Sequence, residues 1–333
     1  MKIAPLFLTA VLFSLSASRS APASGGAVRI IVDSDANNEL DDQHAIAYVL
    51  LNPRSFDIEG ITVNRTYGGG DIEQQALEAE RVVKLCGRFP AVPVYRGASS
   101  SFDTIRGTVG RATFDGCGAV DFIIRCARAA RSGKLVVLAI GKLTNVALAL
   151  CRDPAVVPRI RLVWLGSNYP EPGEYNFEND TAAVNYVLGT GVECEIAVVR
   201  YGKSTGTGAV QVTLDDIRTH MKGKGPRIAS PVAGRNGGTF VCFGDYSVDL
   251  FEHVNERTRA LYDLAAAALV RNPRWAARRV IPAPRWEHGR WVDQPANPRH
   301  ITIRENFDRN GIIADLYRTM NGAGEATHAG EHR

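Results

Sequence analysis

Short, unbroken apolar runs alternating with segments of helical periodicity constrain this chain more than any other feature. The runs at 28–32, 58–63, 92–95, 135–140, 160–165 and 196–199 are built largely from Val, Ile and Leu. Strands that are apolar at successive positions are covered on both faces, as in a parallel sheet inside a layered protein. Helical candidates lie between them. One covers 43–51 and is stopped by Asn52-Pro53; a second has Asp71 to cap its start and Gly87 to end it; others cover 119–130, 145–150, 182–188 and 259–270. The rhythm predicts an α/β fold with a mostly parallel central sheet flanked by helices. No linker or internal repeat divides it, so one domain is expected over residues 24–320, followed by a flexible tail at 321–333.

At 333 residues the chain can bury a large core, and 39 Lys plus Arg against 35 Asp plus Glu give a formal charge of only +4. Bulk charge therefore argues against a nucleic-acid partner. The Trp-rich, Arg-rich stretch at 274–304 reads instead as a small hairpin packing its indoles. Lys2, a thirteen-residue apolar run (3–15) and then small residues to Ala23 have the order of a secretory signal at 1–23. That run is shorter than the roughly 20 residues needed to span a bilayer, so export without stable membrane insertion is the expectation, to the periplasm or beyond. Six cysteines would be allowed to pair there, but Cys86, Cys126 and Cys151 sit in apolar helical patterns and read equally well as small buried hydrophobes.

In an open α/β sheet, ligands sit beyond the carboxyl ends of the strands, so the segment after the first strand is where a site is sought. Five carboxylates fall there within ten residues: Asp33, Asp35, Glu39, Asp41 and Asp42. Crowded acids raise one another's pKa, and a cation relieves them. Oxygen ligands without Cys, and with only His44 nearby, suit a hard ion such as Ca²⁺ or Mg²⁺. Capping the following helix would explain some of these acids but not all five.

Beyond this cluster, Asp33-Ser34-Asp35 with Asp41-Asp42, Gly60-Ile61-Thr62-Val63, Pro93-Val94-Tyr95-Arg96-Gly97, Ala119-Val120-Asp121-Phe122-Ile123, Gly141-Lys142-Leu143-Thr144-Asn145-Val146-Ala147 and Glu174-Tyr175-Asn176 follow in an order and spacing that resembles the inosine/uridine-preferring nucleoside hydrolases, from about residue 28 to 270. The resemblance implies a Rossmann-like fold and a Ca²⁺-dependent hydrolase that splits ribonucleosides into ribose and base. It implies Asp35, Asp42, Asp263 and the Thr144 carbonyl as metal ligands, with Asp35 also the base that takes a proton from the attacking water. Asp41, Asn168, Glu174 and Asn176 would hold the ribose, and Asn64 is a weaker candidate because the segment after Val63 diverges. Such enzymes are compatible with dimers or tetramers, for which this sequence carries no interface signature.

Three departures stand out. The acidic loop has five residues, Ala36 to Leu40, longer than the family's usual loop that begins Pro-Gly. Lys142 replaces the Pro of a Gly-Pro step. Tyr262 stands where many members have the His before the last metal-binding Asp, so protonation of the leaving base falls to Tyr262, His253 or water. Two alternatives remain open at this point: a non-catalytic periplasmic sugar- or nucleoside-binding protein, and a hydrolase of another glycoside.

Overall fold

The computed structural model describes residues 26–328; the leader expected at 1–23 lies outside the described residues, as does 329–333. Among the described residues, eight strands form the central sheet: β1 (Val28–Ser34), β2 (Phe56–Val63), β3 (Val94–Arg96), β4 (Leu135–Ala139), β5 (Ile160–Leu165), β6 (Glu193–Ala197), β7 (Ala277–Pro282) and β8 (His300–Glu305). Their order is β7-β8-β6-β5-β4-β1-β2-β3, and every neighbouring pair is parallel except β7 with β8. From β1 the chain steps outward to β2 and β3, then returns to build β4, β5 and β6 on the other side. The order reverses between β1 and β4, which opens a crevice at the carboxyl ends of those two strands.

Both faces of the sheet are covered, as the unbroken apolar runs require. Ile30, Val32, Val136 and Leu138 face a core shared with helices Asp41–Leu50, Ile72–Leu85 and Tyr262–Arg271. Ile31, Val137 and Leu162 face a second core with helices Cys117–Arg128, Thr144–Arg152 and Thr181–Thr190. Asp71 caps its helix as expected: it accepts from the Gln74 amide at 2.9 Å while the Gln74 side chain accepts from the Asp71 amide at 2.9 Å.

Three expectations change. The helix expected from 259 starts at Tyr262, because Thr258–Ala260 pairs antiparallel with Gln211–Thr213. The hairpin Arg285–Glu287/Arg290–Val292 does pack Trp286 and Trp291 on Phe177, with ring centroids 4.7 and 5.0 Å away, yet the strands flanking it join the central sheet. Arg278, Arg279 and the exposed positions of edge strand β7 hide that membership from hydropathy. The tail expected from 321 is helical as far as His328, continuing Arg309–His328, whose Ile312, Leu316 and Met320 lie in the core. Once that helix is nucleated by packing, each further residue adds a hydrogen bond at little cost. All six cysteines are unpaired thiols. Among the described residues, no helix is long and apolar enough to cross a membrane.

Candidate active site

Strand β1 delivers its last residues to the crevice. Asp33 is fully buried there and anchors the surrounding loops: its Oδ1 accepts from Thr62 Oγ1 at 2.6 Å and Asn145 Nδ2 at 2.7 Å, and its Oδ2 from Asn64 Nδ2 at 3.2 Å. Burial pushes its carboxyl up to about 6 against the pull of those donors. Asn145 extends the junction, donating also to the Val63 carbonyl at 3.1 Å and accepting from the Ala98 amide at 2.8 Å. The Asn145→Ala variant takes this partner from the Ala98 amide and the Val63 carbonyl and removes one of the three donors to Asp33. Its expected cost is about 3 kcal/mol, read from the shift in denaturant midpoint.

Beyond Asp33 the chain enters a cavity of about 300 Å³ at the carboxyl ends of β1, β4 and β5. Among the described residues, seven carboxylates line it (Asp35, Glu39, Asp41, Asp42, Glu174, Glu256 and Asp263) against a single guanidinium, that of Arg259. Carboxylate oxygens of Asp41, Asp42 and Asp263 lie within 4.8 Å of one another, all buried. Asp41 and Asp42 are consecutive in the first turn of helix Asp41–Leu50, Asp263 is in the first turn of helix Tyr262–Arg271, and the Asp263 amide donates to Asp41 Oδ2 at 3.3 Å. Helix N-termini favour acids. Here burial and mutual repulsion outweigh that help, and burial is the larger cause. Asp41 is pushed up to about 7, and Asp42 and Asp263 are raised well above the ordinary carboxylate range. Three buried acids that repel one another, offering only oxygen donors, fit a hard divalent cation.

Asp35 lies beside this trio. Its Oδ2 accepts from Thr66 Oγ1 at 2.5 Å, and burial, with a smaller push from Asp33 and Glu39, raises it to about 7. Among charged neighbours it contributes the largest push on Asp42. Gly141 faces it, and a Cβ there would stand 3.0 Å from Asp35 Oδ1 and from the Asn64 amide, so the β4 turn has no room for a side chain.

Glu174 sits on the opposite wall with φ 122°, a conformation L-residues rarely adopt, held by its own carboxylate. That carboxylate accepts from the amides of Ser167 (2.7 Å), Phe177 (2.8 Å) and Asn176 (3.0 Å), and burial nonetheless lifts it to about 7. Asn176 donates to the Ile140 and Leu165 carbonyls, both at 3.2 Å, which ties this wall to the ends of β4 and β5. Tyr262 and Tyr201 close one side edge to face, with centroids 5.9 Å apart. Burial and Asp41 push the Tyr262 phenol up to about 12.

The sequence-expected residues thus converge unevenly. Asp35, Asp41, Asp42, Glu174, Asn176, Tyr262 and Asp263 line one cavity. Asp41, expected on the ribose, lines the cavity with a carboxylate oxygen close to those of Asp42 and Asp263, because the helix starts at Asp41 and places it next to Asp42. Asn64 lies behind the cavity against Asp33, and Asn168 is half-buried, bonded to the Pro172 carbonyl and the Tyr201 amide at 3.4 Å each. Thr144 is buried in the first turn of its helix and donates Oγ1 to Asp180 Oδ2 at 2.5 Å. His253 is exposed beside Asp249, away from the cavity. Sequence reading missed Thr66, Tyr201, Glu256 and Arg259. Thr66, Tyr201 and Glu256 lie outside the expected strands and helices, Arg259 falls at the start of an expected helix, and only tertiary pairing brings them to the site.

Sheet order, switch point and acid-lined cavity define an α/β protein with a ligand site built around buried carboxylates. The sequence matches the family described as inosine-uridine preferring nucleoside hydrolase over residues 30–324, and the chain belongs to that family. An uncharacterized protein of Schizosaccharomyces pombe is 29 % identical over 188 residues, 50 % of this chain and 59 % of that one. The Escherichia coli pyrimidine-specific ribonucleoside hydrolase RihB is 27 % identical over 187 residues, 49 % of this chain and 57 % of its own. These matches therefore reach little more than half of either relative. Among solved structures, a plant nucleoside hydrolase, PpNRh1, superposes with a TM-score of 0.68 at 19 % identity, covering 88 % of this chain and 99 % of that one. A purine-preferring ribonucleoside hydrolase from Gardnerella vaginalis gives 0.66 at 21 % identity, covering 89 % and 98 %. At such identities the superpositions establish the shared fold.

Proposed function

We propose that this chain hydrolyses the N-glycosidic bond of ribonucleosides, releasing ribose and free base. One observation carries the reading most: four buried, mutually repelling aspartates, from the turn just after β1, the helix that follows and a helix more than 200 residues further on, line one cavity at the switch point in a chain of this family. Ca²⁺ is the ion proposed, held among Asp41, Asp42 and Asp263, since the donors are oxygens and the site is acidic. When bound, such a dication makes water more acidic and keeps neighbouring carboxylates ionised.

This chain's own groups supply the rest. Asp35, adjacent to the trio, takes a proton from the attacking water. As the glycosidic bond breaks, the sugar gains oxocarbenium character, and the carboxylates of the cavity stabilise that positive charge. Glu174 and Asn176, fixed by backbone bonds, form the wall against the ribose. The proposal also assigns the leader at 1–23 to export, on its charge, apolar and small-residue order.

Purified protein incubated with inosine, uridine, cytidine and adenosine tests the reading through released ribose. Release that stops with EDTA and returns with Ca²⁺ is the expected result. No release from any of them would leave the binding-protein alternative. Seven carboxylates against one guanidinium also make the cavity hostile to phosphate. The 5′-monophosphates of the same nucleosides are expected to react at least about 100-fold more slowly in kcat/KM, the measure of about 2.7 kcal/mol of repulsion.

A further inference from the structure

Among the described residues, Arg259 is the one cation in the cavity lining, and its surroundings single out one atom. It belongs to strand Thr258–Ala260, three residues before Tyr262, and its side chain is 17 % exposed. Its Nη2 is paired with Glu39, and its Nη1 donates to Glu256 Oε2 at 2.9 Å. With both terminal nitrogens engaged by carboxylates, the plane of the guanidinium is fixed. Its Nε is buried and has no partner. A buried donor left unsatisfied costs free energy, and a small turn of the side chain, which already lines the cavity, would bring Nε–H to an acceptor there. Glu39 comes from the lengthened 36–40 loop, so the same insertion that departs from the family's pattern supplies the anchor for Arg259. That loop is itself pinned: the Asn37 amide donates to Gln75 Oε1 at 2.7 Å, and Gln43 Nε2 donates to the Ala36 carbonyl at 2.7 Å.

Building on the proposed hydrolase activity, we propose that Arg259 receives the departing nucleobase, donating Nε–H to a carbonyl oxygen or ring nitrogen of a neutral heterocycle, with Glu39 as its positioning residue. In the step it assists, the bond between ribose C1′ and the ring nitrogen breaks and its electron pair goes to the heterocycle. The water oxygen bonds to C1′ and its proton passes to Asp35. The base leaves as an anion beside Arg259 and takes a proton from solvent on release, while Asp35 returns its proton to solvent, so the sum is nucleoside plus water to ribose plus base. The alternative donor is Tyr262. Tyr262 packs its ring edge to face against Tyr201, whereas a guanidinium stabilises the anion without giving up a proton. Because Glu39 and Glu256 offset much of the arginine's charge, the intact nucleoside is held by a neutral acceptor edge, and the Nε–H bond strengthens only as negative charge develops on the departing base.

A leaving-group comparison tests this. Arg259→Gln, Arg259→Lys, Glu39→Gln and Tyr262→Phe are assayed on uridine and inosine and on 4-nitrophenyl riboside, whose leaving group is a stable anion that needs little help. Arg259→Gln is expected to lose at least 100-fold in kcat on the nucleosides but less than ten-fold on the nitrophenyl riboside; that surviving activity also reports an intact fold. Glu39→Gln is expected to lose about ten-fold in kcat on the nucleosides only, and Arg259→Lys, lacking the Nε geometry, to resemble Arg259→Gln. Equal losses on both substrate types, no loss on either, or a nucleoside-selective loss confined to Tyr262→Phe would overturn the assignment. If the native protein cleaves the nitrophenyl riboside and the nucleosides at rates that Arg259 variants do not separate, hydrolysis stands and this inference falls. If the native protein cleaves neither, the hydrolase reading and this inference fall together.

Discussion

Replacing Asp35 by Asn abolishes measurable turnover while the protein folds and still binds its ion: this is the largest effect expected of any single substitution. A positioned general base contributes about 10² to 10⁴ in rate, so kcat should fall by about 10³-fold or more. Fold is preserved because Asn has the shape of Asp, and its carbonyl oxygen can still accept from Thr66 Oγ1. Ion binding is preserved because the closely grouped oxygens belong to Asp41, Asp42 and Asp263. Ribose release, circular dichroism and Ca²⁺ titration by calorimetry separate the three properties. Turnover within ten-fold of the native rate would remove Asp35 from the role of base. Loss of ion binding together with turnover would make it a ligand first.

Much of this architecture is written in local sequence. The runs at 135–140 and 160–165 become β4 and β5 nearly residue for residue, because a strand buried on both faces needs apolar side chains at every position, and those are visible without knowing its neighbours. Asp71 and Gly87 bracket their helix for equally local reasons. Edge strand β7 is illegible by the same logic: half its positions face solvent, and its register comes entirely from β8. The site divides along the same line. The acids after β1 stand out because no solvated turn needs five carboxylates in ten residues. Asp263 stands out as a charge in an apolar helix. Thr66 and Tyr201 carry no such contradiction with their surroundings, since a polar residue in a loop is ordinary, and an Arg at the start of an expected helix is equally ordinary; Arg259 gains its importance only when its short strand places it in the cavity wall. Asn168 shows the converse case. Its spacing to Glu174 fits the family pattern, yet here its amide is bonded to the loop that carries it.

The second large effect is a reversal of pH dependence by the ion. Burial raises Asp33 to about 6 and Asp35, Asp41 and Glu174 to about 7, with Asp42 and Asp263 displaced in the same direction. In the unfolded chain these groups ionise in the ordinary carboxylate range, below pH 5. Between there and about pH 7 the folded, ion-free protein holds more protons than the unfolded one, so its stability falls as pH rises. The contribution of these acids is fully present below the ordinary range and is lost once pH passes the raised values. Ion-free protein should therefore melt at higher temperature at pH 5 than at pH 8. A divalent cation displaces those protons and bonds the oxygens they leave, so it stabilises most where the acids are already ionised. At a hundred times its dissociation constant it adds about 2.7 kcal/mol, or about 5 °C in Tm for a domain of this size, at pH 8 and much less at pH 5. Differential scanning fluorimetry with EDTA or Ca²⁺ at the two pH values measures all four states. The paired Asp42→Asn and Asp263→Asn substitutions remove both the repulsion and the ligands. They should raise the ion-free Tm at pH 8 and erase the Ca²⁺ shift, whereas a Ca²⁺ shift that survives them, or one equal at both pH values, would place the ion elsewhere.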